Sequence, residues 1–106
     1  MEKPKELVIK TAALDQLQEV YLYYRDYVSV NFAEKFRLNF FSTIQLILPL
    51  YNRYPICKFK KPLNKSYRQI TWNKFLIIYK ITERNIEILS LFHTKQNPKK
   101  LKKLLK

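Results

Sequence analysis

The sequence contains no glycine among its 106 residues, whereas average usage of ~7% would place about seven in a chain of this length. The glycine-rich loops that hold nucleotide phosphates, both Walker-type and Rossmann-type, are therefore excluded. Turns must instead use asparagine, proline, lysine and serine.

Cysteine and histidine are almost as scarce, with one residue of each type, Cys57 and His93. A single cysteine cannot form an internal disulfide, and no Cys/His cluster is spaced to bind zinc. We therefore expect no metal site and no cofactor.

Long apolar runs are also lacking. No segment approaches the ~20 apolar residues that a membrane-spanning helix needs, and the first ten residues, MEKPKELVIK, are charged where a signal peptide would be apolar. These features predict a cytoplasmic protein without a membrane partner.

Acidic residues are few, and long stretches of the chain contain none. The formal net charge is +13, and residues 35–82 hold ten basic residues and no acidic one, while the last twelve residues hold six lysines. So uneven a positive field favours an anionic partner, such as a nucleic acid, a ribosome or an acidic protein surface.

In the first half of the sequence, apolar residues recur at spacings of three and four, which is typical of helices. Leu7–Ile9 predicts a first strand, and Thr11 is the expected N-cap of a helix over 12–28. A second helix is predicted over roughly 30–50, with Ser29 or Asn31 as its cap and Pro49 near its end. The predicted buried stripes are Leu14, Leu17, Val20, Tyr21, Tyr24 and Val28 in the first helix, and Ala33, Phe36, Phe40, Ile44, Ile47 and Leu48 in the second.

The last third is rich in β-branched and aromatic residues. Segments 67–72, 75–82 and 86–93 are separated by Asn73-Lys74 and by residues 83–85, and asparagine tolerates the positive φ of tight turns. They predict a three-stranded antiparallel meander. Residues 52–66 are expected to be a loop with a short edge strand, and the lysine-rich tail, residues 94–106, is compatible with a short C-terminal helix that Asn97 caps.

The predicted element order is β-α-α-β-β-β. It corresponds to an α+β fold in which an N-terminal strand and an antiparallel helical hairpin pack on a small antiparallel sheet. We expect residues 1–106 to form a single domain with a basic tail.

Several local features together resemble the RelE/ParE superfamily of toxins. The stretch LDQLQEVYLYYRDYVSVNFAEKF resembles that family's first helix and the start of its second, Leu48-Pro49 and Tyr54-Pro55 lie where the second helix gives way to a loop, and Tyr67-Arg68 with FLIIYKI and IEILSLFHTKQNP resembles the family's later strands. The resemblance covers roughly residues 6–101. It implies the toxin of a type II toxin–antitoxin system, of the kind associated with plasmid stabilisation, that forms a hetero-oligomer with its antitoxin.

Two activities follow from the resemblance. ParE-like members bind and poison DNA gyrase, whereas RelE-like members cleave messenger RNA on the ribosome with basic residues instead of a metal ion. We favour the ParE-like activity, and an enzyme only as the alternative. A non-toxic basic module that binds nucleic acid is a third hypothesis.

The choice depends on the face of the sheet that points away from the helices, where RelE-like nucleases place their site. Simple hairpin registers put Trp72, Phe75 and His93, then Ile70, Ile77 and Leu91, then Arg68, Tyr79 and Leu89 under the helices. The other face is expected to be open and to carry one lysine, one tyrosine and no arginine or histidine, with Thr71 at the position of the family's arginine. Such a set stabilises a phosphorane poorly.

The candidate site residues fall into two groups. The residues to test for a nuclease are Lys58, Lys60, Lys80, Lys95 and His93, although His93 is expected to be structural. The candidates for binding a target or antitoxin are Arg68, Lys61, Lys95, Lys99, Lys100, Lys102 and Lys103. For Arg68 we favour a structural role, paired with a helix carboxylate such as Glu19 or Asp26.

Overall fold

A layer of helices lies over a four-stranded sheet. The computed structural model describes residues 4–60 and 64–95. The elements follow in the predicted order: β1 (Glu6–Ile9), α1 (Thr11–Tyr27), α2 (Val30–Gln45), α3 (Ile47–Leu50), β2 (Tyr67–Trp72), β3 (Phe75–Ile81) and β4 (Asn85–His93).

The strands lie side by side in the order β1-β4-β3-β2. The predicted antiparallel meander of β2, β3 and β4 is confirmed, and its first turn contains Asn73 at a φ of 54°, the only positive φ among the described residues. The predicted α+β fold is confirmed, and β1, for which no partner was predicted, pairs with β4 in parallel, so the four-stranded sheet is mixed. Strand direction relative to a partner some 80 residues away has no local signal, because side-chain alternation is the same in both directions.

The start of α1 differs from the prediction by one residue. Lys10, not Thr11, is the N-cap, and it makes no side-chain capping bond. The Lys10 N–H donates to the Ile88 carbonyl at 2.9 Å, and the Lys10 carbonyl accepts from the backbone N–H groups of Ala13 and Leu14. Lys10 therefore ends the strand ladder and begins the helix at once, which leaves Thr11 inside the first turn.

The predicted second helix is divided into α2 and α3. The Ser29 hydroxyl accepts from the Phe32 N–H at 3.0 Å and confirms Ser29 as the cap. α2 ends at Gln45, four residues before Pro49, where the proline has no N–H to donate and its ring crowds the carbonyl four residues earlier. Pro49 therefore bends this helix, and the second segment runs on to Leu50.

The main core lies between the helices and the sheet. α2 and α3 contribute Phe36, Phe40, Ile44 and Ile47, all buried as predicted, and Leu17 and Ala13 come from α1. The predicted stripe of α1 is wrong at Leu14 and Val28, whose side chains are exposed. The small residue Ala13 lies against the sheet instead, because the helix is rotated relative to the predicted stripe.

A β-bulge changes the predicted register of β4. The rows through Phe75 and Ile77 are confirmed, but Tyr79 pairs with Ile88 because the register shifts beside it. Leu89 is the extra residue, so it packs on the far side of the sheet while Ile88 joins the main core. The prediction that Leu89 shares the row of Arg68 and Tyr79 is therefore wrong.

Candidate functional site

The sheet face away from the helices, here called the far face, was expected to be open and is instead covered. Residues 55–57 run beside β2: Cys57 N–H donates to the Tyr67 carbonyl at 2.7 Å and Gln69 N–H to the Pro55 carbonyl at 2.9 Å. This pairing confirms the predicted short edge segment. A second apolar cluster forms under it, in which Cys57 is buried with Leu76, Ile78 and Phe92, and Phe59, Tyr67 and Leu89 pack around them.

Arg68 holds the covering segment in place. Its Nε donates to the Lys65 carbonyl at 2.7 Å, and its Nη1 donates to the carbonyls of Asn52 and Tyr54 at 3.0 and 2.9 Å. The prediction that Arg68 pairs with a helix carboxylate such as Glu19 or Asp26 is therefore wrong, because its partners are backbone carbonyls. Carbonyls at both ends of the loop converge on this guanidinium because the short bridge between Ile56 and Arg68 brings them there.

Two of the nuclease candidates meet at the edge of the covered face. The Nζ atoms of Lys60 and Lys80 lie 5.3 and 5.5 Å from the centre of the Tyr67 ring, within the range of a cation–π contact. Lys58 is exposed in the same segment, and its backbone N–H donates to the Gln69 side chain at 3.0 Å. The far face thus carries ammonium groups around a tyrosine.

The other two nuclease candidates lie at the opposite end of the sheet. His93 pairs with Phe75, five residues along β3 from Lys80, so roughly 17 Å separates the two groups. The imidazole meets the Phe75 ring edge-to-face at 5.0 Å, and its Nδ1 accepts from the Lys95 N–H at 3.1 Å. The structure therefore does not bring Lys80 and His93 together. Lys61, Lys99, Lys100, Lys102 and Lys103, and the tail helix, lie outside the described residues.

A cleft lies between α1 and the end of β4. It is a cavity of about 330 Å³, and the residues lining it are Gln16, Glu19, Val20, Tyr23, Tyr24, Phe75, Leu91 and His93. Sequence reasoning missed this cleft, because it lies beside the part of β4 beyond Ile88, where β1 no longer pairs with it, and the pairing of these two strands has no local signal in the sequence.

Exposed aromatic residues surround the turn between α1 and α2. The ring centres of Tyr23 and Tyr27 lie 4.9 Å apart with the rings tilted, and Phe32 meets Tyr24 edge-to-face at 4.8 Å, while Tyr23, Tyr27 and Phe32 are all exposed. Sequence reasoning assigned no role to these residues. The signal for them was the spacing of Tyr23 and Tyr27, four residues apart and off the predicted stripe.

A polar group joins the two helices on the outside of the hairpin. The Tyr21 hydroxyl donates to Glu34 Oε1 at 2.6 Å, and Arg37 Nη2 lies 2.9 Å from Glu34 Oε2. The hydrogen bond from Tyr21, together with Arg37, lowers the pKa of Glu34, and the same bond raises the pKa of Tyr21.

Within residues 4–60 and 64–95, no group of three or more His, Cys, Asp or Glu side chains is placed to hold a metal ion. In the same part of the chain, no helix has the length and apolarity to span a bilayer.

Comparison with solved structures identifies the class of fold. A chain described as "Chromosomal ParDE TA system from P. aeruginosa" superposes with a TM-score of 0.72 over 84% of this chain and 95% of that one, at 16% sequence identity. At this identity the likeness concerns the fold alone.

The family follows from sequence. The model of the ParE toxin of the type II toxin–antitoxin system parDE matches residues 7–98, and the chain therefore belongs to the ParE toxin family. The resemblance to the RelE/ParE superfamily is thereby confirmed. None of the curated proteins matches the sequence.

Proposed function

We propose that this chain is a cytoplasmic toxin that inhibits growth by binding DNA gyrase, and that a cognate antitoxin neutralises it. Residues 1–106 would form a single toxin domain. The family supports a role in a toxin–antitoxin pair. The choice between gyrase and the ribosome as the target depends on the far face of the sheet.

The covered far face is the observation that supports inhibition by binding rather than by RNA cleavage. RNA cleavage without a metal needs a group that takes the 2′-hydroxyl proton and cations that hold the scissile phosphate. Here Cys57 and Phe59 lie over that face, and its exposed edge offers Lys60, Lys80 and Tyr67. The histidine lies at the other end of the sheet. Gyrase inhibition by binding requires none of these catalytic groups.

Charge supports an acidic antitoxin. The formal net charge of +13 favours fast association with an acidic chain, since opposite fields steer encounter. The residues we propose for contact with antitoxin or target are Lys61, Lys95, Lys99, Lys100, Lys102 and Lys103, with Arg68 as a further candidate.

Gyrase inhibition is the direct test. The purified chain should inhibit supercoiling by gyrase, and induction in a bacterium should activate a DNA-damage reporter before protein synthesis falls. A variant with Lys99, Lys100, Lys102 and Lys103 changed to Gln should inhibit about tenfold less or weaker still, because rim charges set the association rate. Gyrase that supercoils normally in the presence of the unaltered chain would refute the proposal.

A ribosome-dependent ribonuclease is the alternative, and the pair of lysines around Tyr67 is the observation that favours it. The double variant Lys60→Gln/Lys80→Gln tests it. If the chain is a nuclease, this variant loses toxicity and the unaltered chain cuts translated messages while DNA stays intact. If it is a gyrase inhibitor, the same variant keeps its toxicity.

A further inference from the structure

Apolar residues cover the tip of the helical hairpin, where α1 turns into α2. These residues, here called the tip patch, are Tyr23, Tyr27, Val28, Val30 and Phe32, and each is between 45% and 76% exposed. Contiguous apolar patches on the surface of a soluble protein commonly mark a site of interaction. The tip patch is therefore a candidate surface for binding another protein chain.

A series of ring contacts connects the tip patch to the core. Phe32 meets Tyr24 edge-to-face with ring centres 4.8 Å apart, and Tyr24 lies 5.1 Å from the buried Phe36. Tyr23 lies 5.8 Å from Tyr24 and 4.9 Å from Tyr27. Rings that are already ordered in the free chain lose little conformational entropy on binding, so they are suited to an interface.

The helical hairpin is the part of the chain that carries almost no net charge. Residues 11–45 hold four acidic and three basic residues, whereas the rest of the chain holds four acidic and eighteen basic ones. Two copies of a chain with a net charge of +13 repel each other, and the repulsion is smallest when the hairpin tips meet and the basic regions stay apart. The charge distribution therefore makes the hairpin the surface best able to meet a second copy.

Arg25 and Asp26 give the edge of the tip patch a charge pattern that is complementary to itself. Arg25 Nε lies 3.0 Å from Asp26 Oδ1, and both side chains are about half exposed. In a dimer with a two-fold axis every contact occurs twice, so Arg25 of each copy can meet Asp26 of the other. A nucleic acid or an acidic segment would instead find its cations on the basic remainder of the chain.

The area of the tip patch determines how tight such a dimer can be. A fully buried aromatic side chain covers roughly 150–250 Å², so the exposed parts of the five residues amount to roughly 500 Å² in each copy. Two copies would bury about 1,000 Å² in total, which is near the lower limit of specific interfaces and typical of transient ones. We therefore expect association at micromolar rather than nanomolar concentrations.

We propose that two copies of this chain associate through their tip patches as a two-fold symmetric dimer. Tyr27, the most exposed residue of the tip patch, lies at the centre of the interface, and Arg25 and Asp26 pair between the copies around it. The basic remainder of each copy then faces away from the interface and stays open to an anionic partner. The dimer does not depend on the identity of the toxin's target.

Analytical ultracentrifugation of the full chain measures the dimer directly. The unaltered chain should dimerise with a dissociation constant of about 1–100 µM, and added salt should lower this constant, because salt screens the repulsion between the copies. Tyr27→Ser should raise the constant about 30-fold, since an aromatic residue at the centre of an interface provides much of its binding energy. Leu46→Ser, which removes another exposed apolar side chain at the other end of α2, is the matched control and should leave the constant unchanged.

An exchange of charge tests the two-fold arrangement. Arg25→Asp and Asp26→Arg should each weaken self-association about tenfold, because each brings like charges together across the interface. An equimolar mixture of the two variants should associate at least as tightly as the unaltered chain, because their charges are complementary. The mixture also controls for folding, since a misfolded variant could not restore association.

Three results would overturn the proposal. They are a chain that stays monomeric up to about 1 mM, a dimer that Tyr27→Ser and Leu46→Ser weaken equally, and a mixture of the two charge variants that associates no better than either variant alone. In the first case, a loss of toxicity in Tyr27→Ser would assign the tip patch to a partner other than a second copy.

Discussion

Arg68 shows how one side chain decides what a surface can do. A basic residue in the first strand of the meander has two uses, as an anion ligand or as a structural anchor. The structure directs three guanidinium hydrogen bonds to the carbonyls of Lys65, Asn52 and Tyr54. These bonds hold the segment that covers the far face.

The Arg68→Ala variant should loosen that segment. Removing charge-assisted hydrogen bonds that are partly exposed should lower the free energy of unfolding by about 2 kcal/mol. Cys57 reports the opening, since it is buried and burial raises the pKa of its thiol. Its reaction with a thiol reagent should become faster by about 30-fold, the factor that corresponds to this energy.

The control for Arg68→Ala is Lys58→Ala, which removes an exposed cation from the same segment. Lys58 takes part in this segment through its backbone N–H, which the substitution keeps. If both variants expose the thiol equally, the guanidinium is not the anchor.

At the scale of the element, the helical hairpin is held from two sides. Its inner side is apolar, with Phe36 and Phe40 against the sheet. Its outer side joins α1 to α2 through the Tyr21 hydroxyl, the Glu34 carboxylate and the Arg37 guanidinium. Because the outer group is ionised, its contribution depends on pH.

The stability of the hairpin should fall at acid pH in a way that Glu34 controls. The pKa of Glu34 is lowered in the folded chain from its ordinary value of 4.5. A carboxyl of this kind stabilises the fold above its unfolded pKa, and the contribution is lost as the pH falls through the lower, folded pKa. Glu34→Gln should therefore flatten the dependence of the unfolding midpoint on pH below about 4.5.

Urea unfolding between pH 3 and pH 7 measures this dependence. Glu83→Gln, which removes a carboxyl from the exposed turn before β4, is the matched control and should leave the slope as it is in the unaltered chain. A Glu34→Gln slope that equals the slope of the control would show that the carboxylate adds no pH-dependent stability.

At the scale of the whole molecule, the sheet separates two apolar clusters of unequal size. The larger lies under the helices and includes Phe40 and Ile44, while the smaller lies under the covering segment and includes Phe92, with Phe59 packed on it. A small domain has only about 5–15 kcal/mol of stability. Truncating a side chain of the larger cluster should therefore destabilise the whole domain, whereas truncating one of the smaller cluster should mainly open the covering segment.

Hydrogen exchange should distinguish the clusters. Phe40→Ala leaves a cavity in the larger cluster and should cost about 3–5 kcal/mol, so amide exchange should accelerate in every helix and strand. Phe59→Ala should accelerate exchange mainly in residues 55–60, where a local opening is enough. Uniform acceleration in both variants would mean that the covering segment unfolds only with the rest of the domain.

Most of the fold could be predicted from the sequence because its signals are local. Periods of 3.6 and 2 residues identify helices and strands, Ser29 and Asn73 mark a cap and a turn, and the register of the first hairpin follows from its turn. The order of these local features along the chain was enough to indicate the family that the comparison then showed.

The candidate site depended on features that no local pattern carries. The parallel pairing of β1 and the segment over Cys57 each join residues far apart in sequence, and the bulge at Leu89 interrupts the regular alternation of its hairpin. Composition and periodicity determined a basic α+β domain without a nucleotide loop. Only tertiary structure decided that the far face is covered and that a cleft opens beside β4, because both result from how long each strand is and from what packs against its neighbour.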